Sequence, residues 1–134
     1  MIASLHVATG GVLGALSGSR LAALALGPAL HLAGDRVPHE DIPSVRFELG
    51  SGVFALTLLA LTRGPLDPAT IGGAAAAAPD LEHIVPWLGP SGRELFHGRH
   101  GWHRSGGFPT DVQLLLAGAI VGALLGRLPQ RRQP

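Results

Sequence analysis

Apolar runs separated by short polar clusters divide the chain into five segments. They cover residues 4–17, 21–34, 48–62, a stretch opened by Asp67 or Thr70 that runs through Ala74–Ala78, and 111–126. No stretch alternates with period two over a useful length, and β-branched and aromatic residues are few. The pattern therefore predicts an all-α protein, a compact bundle of about five short apolar helices forming one domain over residues 1–134. Pro28 falls inside the second run and predicts a kink or broken turn there. Pro38 ends that run, because it lacks an N–H and pushes Val37 out of the helical region. Gly10, Gly11 and Gly14 weaken a helix in water but let helix backbones approach closely in a membrane.

These runs lack the charged face that a surface helix of a soluble protein needs. Composition agrees: 46% of residues are hydrophobic and 14% charged, against about 25% charged in ordinary soluble domains. Mean hydropathy is +0.34. A multi-pass membrane protein, with membrane lipids as its surroundings, is the expectation. The runs are nonetheless roughly 14–17 residues long, short of the ~20 needed to cross a bilayer squarely. The first run lacks a charged region ahead of it and reads as a helix rather than a cleaved signal. Trp87 and Trp102 read as interfacial belt residues.

If the five helices alternate in direction, the polar clusters meet. His6 opens the first helix, and Asp35 and His39 close the second. Asp80 and His83 close the fourth, and the Gly-rich loop 89–107 carries His97, His100 and His103. All seven histidines then fall at one end. The ten arginines divide five and five between the ends, including the basic tail 128–134, so their count sets no orientation. The far end has almost no acids beside its arginines, which favours placing it in the cytoplasm and the histidine-rich face outside. A net charge of +1 gives no case for nucleic acid. Oligomeric state is not set by the sequence.

The chain has no cysteine, so any metal site must use imidazole and carboxylate, which suits zinc, iron, nickel or manganese. His31 and Asp35 stand one helical turn apart on one face, as two ligands or as a ligand and its orienting carboxylate. Asp80 and His83 have similar spacing, although Asp80 could simply cap a helix. Glu40, Glu48 and Glu94 read as ordinary solvated charges. Three alternatives to catalysis follow from the same residues. A non-catalytic metal-binding or scaffold membrane protein fits the clusters. Transport is disfavoured because the helix centres carry no ionisable group. Haem ligation is disfavoured because the histidines sit at helix ends.

Four elements, in order along the chain, carry a resemblance. They are His6 with Thr9-Gly10, His31-x3-Asp35-x2-Pro38-His39-x-Asp41, Pro79-Asp80-Leu81-Glu82-His83, and His100-Gly101-Trp102-His103-Arg104-Ser105. Together they resemble the YdjM-like family of predicted membrane-bound metal-dependent hydrolases. Glu82 stands where that family has a second aspartate, and the histidine loop is respaced. The resemblance implies a divalent ion, zinc first among the candidates, held among His6, His31, Asp35, His39, Asp80, His83, His100 and His103. Glu82 or Asp41 would act as general base, Arg99 or Arg104 would steady an anionic headgroup, and loop 98–107 would act as a lid. Location at a membrane makes a phosphoester or a lipid-like ester the expected substrate.

Overall fold

The computed structural model describes residues 1–85, 96–97 and 103–126. Five α-helices and one 3-10 helix account for the regular structure of these residues: α1 (Ala3–Ser17), α2 (Arg20–Asp35), α3 (Val45–Arg63), α4 (Pro68–Ala77), the 3-10 helix Ala78–His83, and α5 (Thr110–Gly126). Among the described residues there is no strand, only isolated bridges at His39. The predicted all-α bundle is the observed one. Trp87, Glu94, Arg99, His100, Trp102 and the basic tail lie outside the described residues.

Local chemistry sets the boundaries. Ser19 caps α2 by accepting the Ala22 N–H, and Ser44 caps α3 by accepting the Phe47 N–H. Asp67 caps α4 by accepting the Ala69 N–H, with Pro68 in the first helical position where its missing donor costs nothing. Gly18, in the left-handed region, closes α1. Pro79 has no N–H to extend the α4 ladder, and the chain tightens there into the 3-10 helix. Of the kink or broken turn expected at Pro28, the broken turn is absent: α2 runs through it from Arg20 to Asp35.

The first helix is the hub. It packs against all four others, and its residues Ala3 to Ala8 are buried on every side. Ile2, Leu5 and Val7 join Leu59 of α3 and Val121 and Leu124 of α5 in the core. The α1–α4 contact is made backbone to backbone. A Cβ on Gly10 would overlap the Gly72 carbonyl, and one on Gly14 would overlap the Pro68 carbonyl. Glycine is required there by space rather than by dihedral angle.

The helix ends sort as the alternating topology requires. Val12 and Leu16 of α1, Arg63 of α3 and Leu124 of α5 line one cavity at one end. Ile2, Asp35, Glu48 and Asp80 belong to the other. Large apolar side chains are exposed along α2, α3 and α5, among them Leu21, Leu24, Phe54, Leu61 and Leu115. One described helix, α3, is long and apolar enough to cross a membrane, and only 17% of that span is buried within the protein. Helices α1 and α5 are apolar but shorter.

Gly72→Val is expected to destabilise the fold by more than about 3 kcal/mol. Overpacking costs about 1–3 kcal/mol where side chains can yield, and here the obstacle is a main-chain carbonyl. Gly118→Ala in α5, with nothing within 4 Å of the added Cβ, is expected to raise stability by about 0.4–1 kcal/mol. Thermal unfolding of the two variants under one condition measures both.

Candidate metal centre

Four parts of the chain deliver imidazoles and carboxylates to one end of the bundle. Helix α1 supplies His6 from its first turn, and the C-terminal turn of α2 supplies His31 and Asp35. The 3-10 helix supplies Asp80, Glu82 and His83. The segment after the fourth helix supplies His97 and His103. His6, His31, Asp35, His39, Asp80 and Glu82 are all buried.

Asp35 is the common point. Its Oδ1 stands 3.0 Å from His6 Nε2, and its Oδ2 stands 3.1 Å from His31 Nε2 and 3.3 Å from His97 Nε2. The nitrogen of Met1 also contacts this carboxylate and His39. His31 Nε2 and His97 Nε2 are 3.4 Å apart. These two nitrogens and Asp35 Oδ2 form a nearly equilateral triangle. Asp80 Oδ1 faces it, 3.9 Å from His31 Nε2 and 3.7 Å from His97 Nε2.

Proton accounting explains what such a triangle needs. The Ala76 carbonyl accepts a hydrogen bond of 2.9 Å from His31 Nδ1, so that nitrogen carries the proton. In the neutral ring, Nε2 is then a bare lone pair facing two carboxylates and another imidazole nitrogen. Lone pairs packed this closely repel unless a proton or a cation lies among them. Ligand atoms about 2.0–2.2 Å from a tetrahedral ion stand about 3.3–3.6 Å from one another. Two edges of the triangle, 3.3 and 3.4 Å, fall in that range and the third, 3.1 Å, is slightly shorter; the donor set of imidazole and carboxylate fits a divalent ion. The cluster can hold a metal ion. Four buried atoms without a hydrogen-bond partner, His6 Nδ1, Asp80 Oδ2, His97 Nδ1 and His103 Nδ1, belong to the same assembly.

Orienting partners surround this centre. The Val37 carbonyl accepts from His39 Nδ1 at 2.7 Å, which turns His39 Nε2 towards Asp41 Oδ1 at 3.1 Å. The other Asp41 oxygen lies 3.2 Å from His103 Nε2. Asp35, His39 and His103 form a second group of suitable spacing. Glu82 accepts the Phe96 N–H at 3.0 Å and lies 3.7 Å from His97 Nδ1, where an orienting carboxylate sits. His83 is exposed but groups with Asp80 and His97. His6 does not reach for water: it is fully buried and stacks on His31 with ring centres 3.9 Å apart.

Burial pushes the Asp80 carboxyl up to about 7, against the lowering pull of His31, with the nearby charge of Asp35 adding to the rise. Burial likewise lowers His39, against the hydrogen bond to Val37. Both shifts reflect charges desolvated among one another.

A cavity of about 270 Å³ opens beside the cluster. Asp35, Asp41, Asp80, His83, His97 and His103 line it, together with Glu48 of α3. Glu48 is a correction to the sequence reading: it is half-buried and forms part of the cavity wall rather than a solvated charge. Arg104 is exposed, and its main chain rather than its side chain serves the site. Its N–H donates to the Asp35 carbonyl and its carbonyl accepts the His39 N–H. Three further main-chain bonds join 103–108 to 35–40: Gly106 N–H to His39 O, Phe108 N–H to Pro38 O, and Glu40 N–H to Phe108 O. The described part of the expected lid is thus pinned to the end of α2.

Two residues escaped the sequence reading. His97 was grouped with the loop histidines but not assigned as a ligand, and it proves central to the triangle. Its spacing relative to Asp35 gave no signal, because the contact spans the fold. Gln113 is fully buried in the first turn of α5. Its Oε1 accepts the Ile2 N–H at 3.1 Å, and its Nε2 donates to the carbonyls of Glu40 and Phe108. A lone amide in an otherwise apolar run was the available signal. Comparison of the chain with family models, with curated proteins and with solved structures gives no match.

Gln113→Leu is expected to cost at least about 2 kcal/mol, because each buried group left unpaired costs about 1–3 kcal/mol. Denaturant unfolding measures the loss. Hydrogen exchange at the Glu40 amide, bonded to Phe108, is expected to accelerate with it.

Proposed function

We propose that the protein is a membrane-embedded, metal-dependent hydrolase that acts on a phosphoester or a lipid-like ester. The observation that carries this reading is the cavity whose wall contains ligand-type atoms of Asp35, Asp80, His97 and His103. A purely structural metal site is closed by its ligands, whereas a catalytic one keeps an approach for substrate. The resemblance to the YdjM-like family points the same way and rests on the motifs alone.

His31, Asp35, Asp80 and His97 would hold the ion, with His6, His39, His83 and His103 completing or orienting its surroundings. His100 and Arg99 keep the roles the resemblance implies, outside the described residues. Zinc is the ion this donor set suits best. A divalent ion there supplies positive charge that makes water more acidic and polarises an ester oxygen. Asp41 is half-exposed on the cavity wall and is the group to take a proton from an attacking water. Glu82 is buried, lies 3.7 Å from His97 Nδ1 and accepts the N–H of the neighbouring Phe96. Arg104 does not line the cavity, and the headgroup role proposed for it would require its exposed side chain to reach in from outside.

Membrane embedding is supported by the exposed apolar side chains on α2, α3 and α5 and by the scant burial of α3. Several crossings by helices this short require a locally thin bilayer or tilted flanks. The proposed orientation puts the Arg20 and Arg63 end in the cytoplasm and the histidine cluster outside. A scaffold role for the cluster is the competing reading, and the same experiment separates the two.

Purified protein is expected to carry zinc or a similar ion by elemental analysis and to hydrolyse bis(p-nitrophenyl) phosphate or a p-nitrophenyl ester. Chelation is expected to abolish turnover, and added zinc or manganese to restore it. Asp35→Ala and His97→Ala are expected to lower metal affinity by about 10–100-fold or more. A tightly bound ion without turnover of either ester class would favour the scaffold. Absence of any bound ion, with Asp80→Ala indistinguishable from the parent, would end the metal reading.

A further inference from the structure

A second cavity, of about 230 Å³, runs down the outside of the bundle between α3 and α4. Leu49, Val53 and Leu56 form one wall, and Ala74, Ala77 and Leu81 the other. Ala3 and Val7 of the central helix form its floor. The run of alanines on α4 creates it, because side chains this small leave the space between two helices unfilled. At its upper end it shares two residues, Leu49 and Asp80, with the cavity at the histidine cluster. A polar chamber and an apolar channel therefore meet at a carboxylate that faces the ligand triangle.

We propose that this channel is the acyl-chain site of a lipid whose ester headgroup sits in the cavity at the cluster. The proposal rests on the hydrolase reading for its headgroup and names the substrate class of that site as a membrane lipid. The occupant follows from polarity and shape. Beyond Asp80, the channel walls offer no side chain that a polar ligand or peptide would need. Val53, Ala74, Ala78 and Leu81 are exposed along it, so the channel is open to the surroundings of the bundle along its length. From Leu49 to Leu56 it runs about 10 Å at the helical rise. That length takes about eight methylenes, given C–C bonds near 1.5 Å. A hydrocarbon chain continuing from a headgroup at Asp80 enters it without crossing any other described element.

The channel can be tested without turnover. The full chain, loaded with zinc in lipid nanodiscs, is irradiated with a phosphatidic acid that carries a diazirine near the middle of one acyl chain. Peptide mass spectrometry then maps the adducts. They are expected to concentrate on 49–56 and 74–81. Ala74→Trp fills the channel from an exposed position and is expected to reduce these adducts by roughly tenfold, equivalent to about 1.4 kcal/mol of lost contact. Metal content is expected to stay unchanged. Gly118→Trp, on the open face of α5, is expected to leave the adducts as they are. Adducts spread over the exposed leucines of α2 and α5 would mean surrounding lipid only and would overturn the proposal. Protein–protein crosslinks through 49–56 would overturn it in favour of a second copy. Concentrated adducts with no ester hydrolysis would keep the channel and reject the hydrolase. Hydrolysis with scattered adducts would do the reverse.

Discussion

Everything at the functional end of this bundle depends on one buried carboxylate. Asp35 draws in His6 from α1, His31 from its own helix, and His97 from the segment beyond the fourth helix. A charge taken out of water is costly unless it is fully partnered. Asp35 resolves that cost by gathering imidazoles, but those imidazoles bring lone pairs of their own. Asp80 adds a second buried carboxylate facing the same imidazoles, and burial above all pushes its pKa up. A cation supplies what the arrangement lacks, and the chemistry of the donor set is why a metal is the natural candidate.

The rest of the fold serves that gathering. Helix α1 must sit at the centre for His6 to reach Asp35, and it can do so only because glycines let it pack against α4 without side chains between. The same closeness brings the Ala76 carbonyl within reach of His31, which fixes the ring's proton on the far nitrogen. Main-chain pairing of 35–40 with 103–108 then places His39 and His103 side by side, with ring centres 4.7 Å apart. Gln113 locks this pairing to the first residues of the chain. Packing by small residues and a few buried polar bonds thus do much of the positioning, while many large apolar side chains of α2, α3 and α5 are left on the outside.

Much of this was legible in the sequence. The apolar runs gave the five helices to within a few residues, and Asp67 was one of the two caps expected to open the fourth. The meeting of Asp35 with Asp80 followed from counting helices and alternating their direction. What local pattern could not give was contact across the fold. His97 is central only through Asp35 and Asp80. Glu48 looked solvated because its place on the cavity wall depends on how α3 leans on α1. Pro28 was expected to kink α2 or break a turn of it, and the helix runs through it without a broken turn.

The ladder between 35–40 and 103–108 has a consequence for how the protein is made. When the first four helices have left the ribosome, His6, His31, Asp35 and Asp80 already exist, but His97, His103 and the edge that holds them do not. The nascent chain would thus expose a half-furnished chamber until His97 and 103–108 arrive. Completion of the centre therefore waits on this later segment rather than on folding of the first four helices.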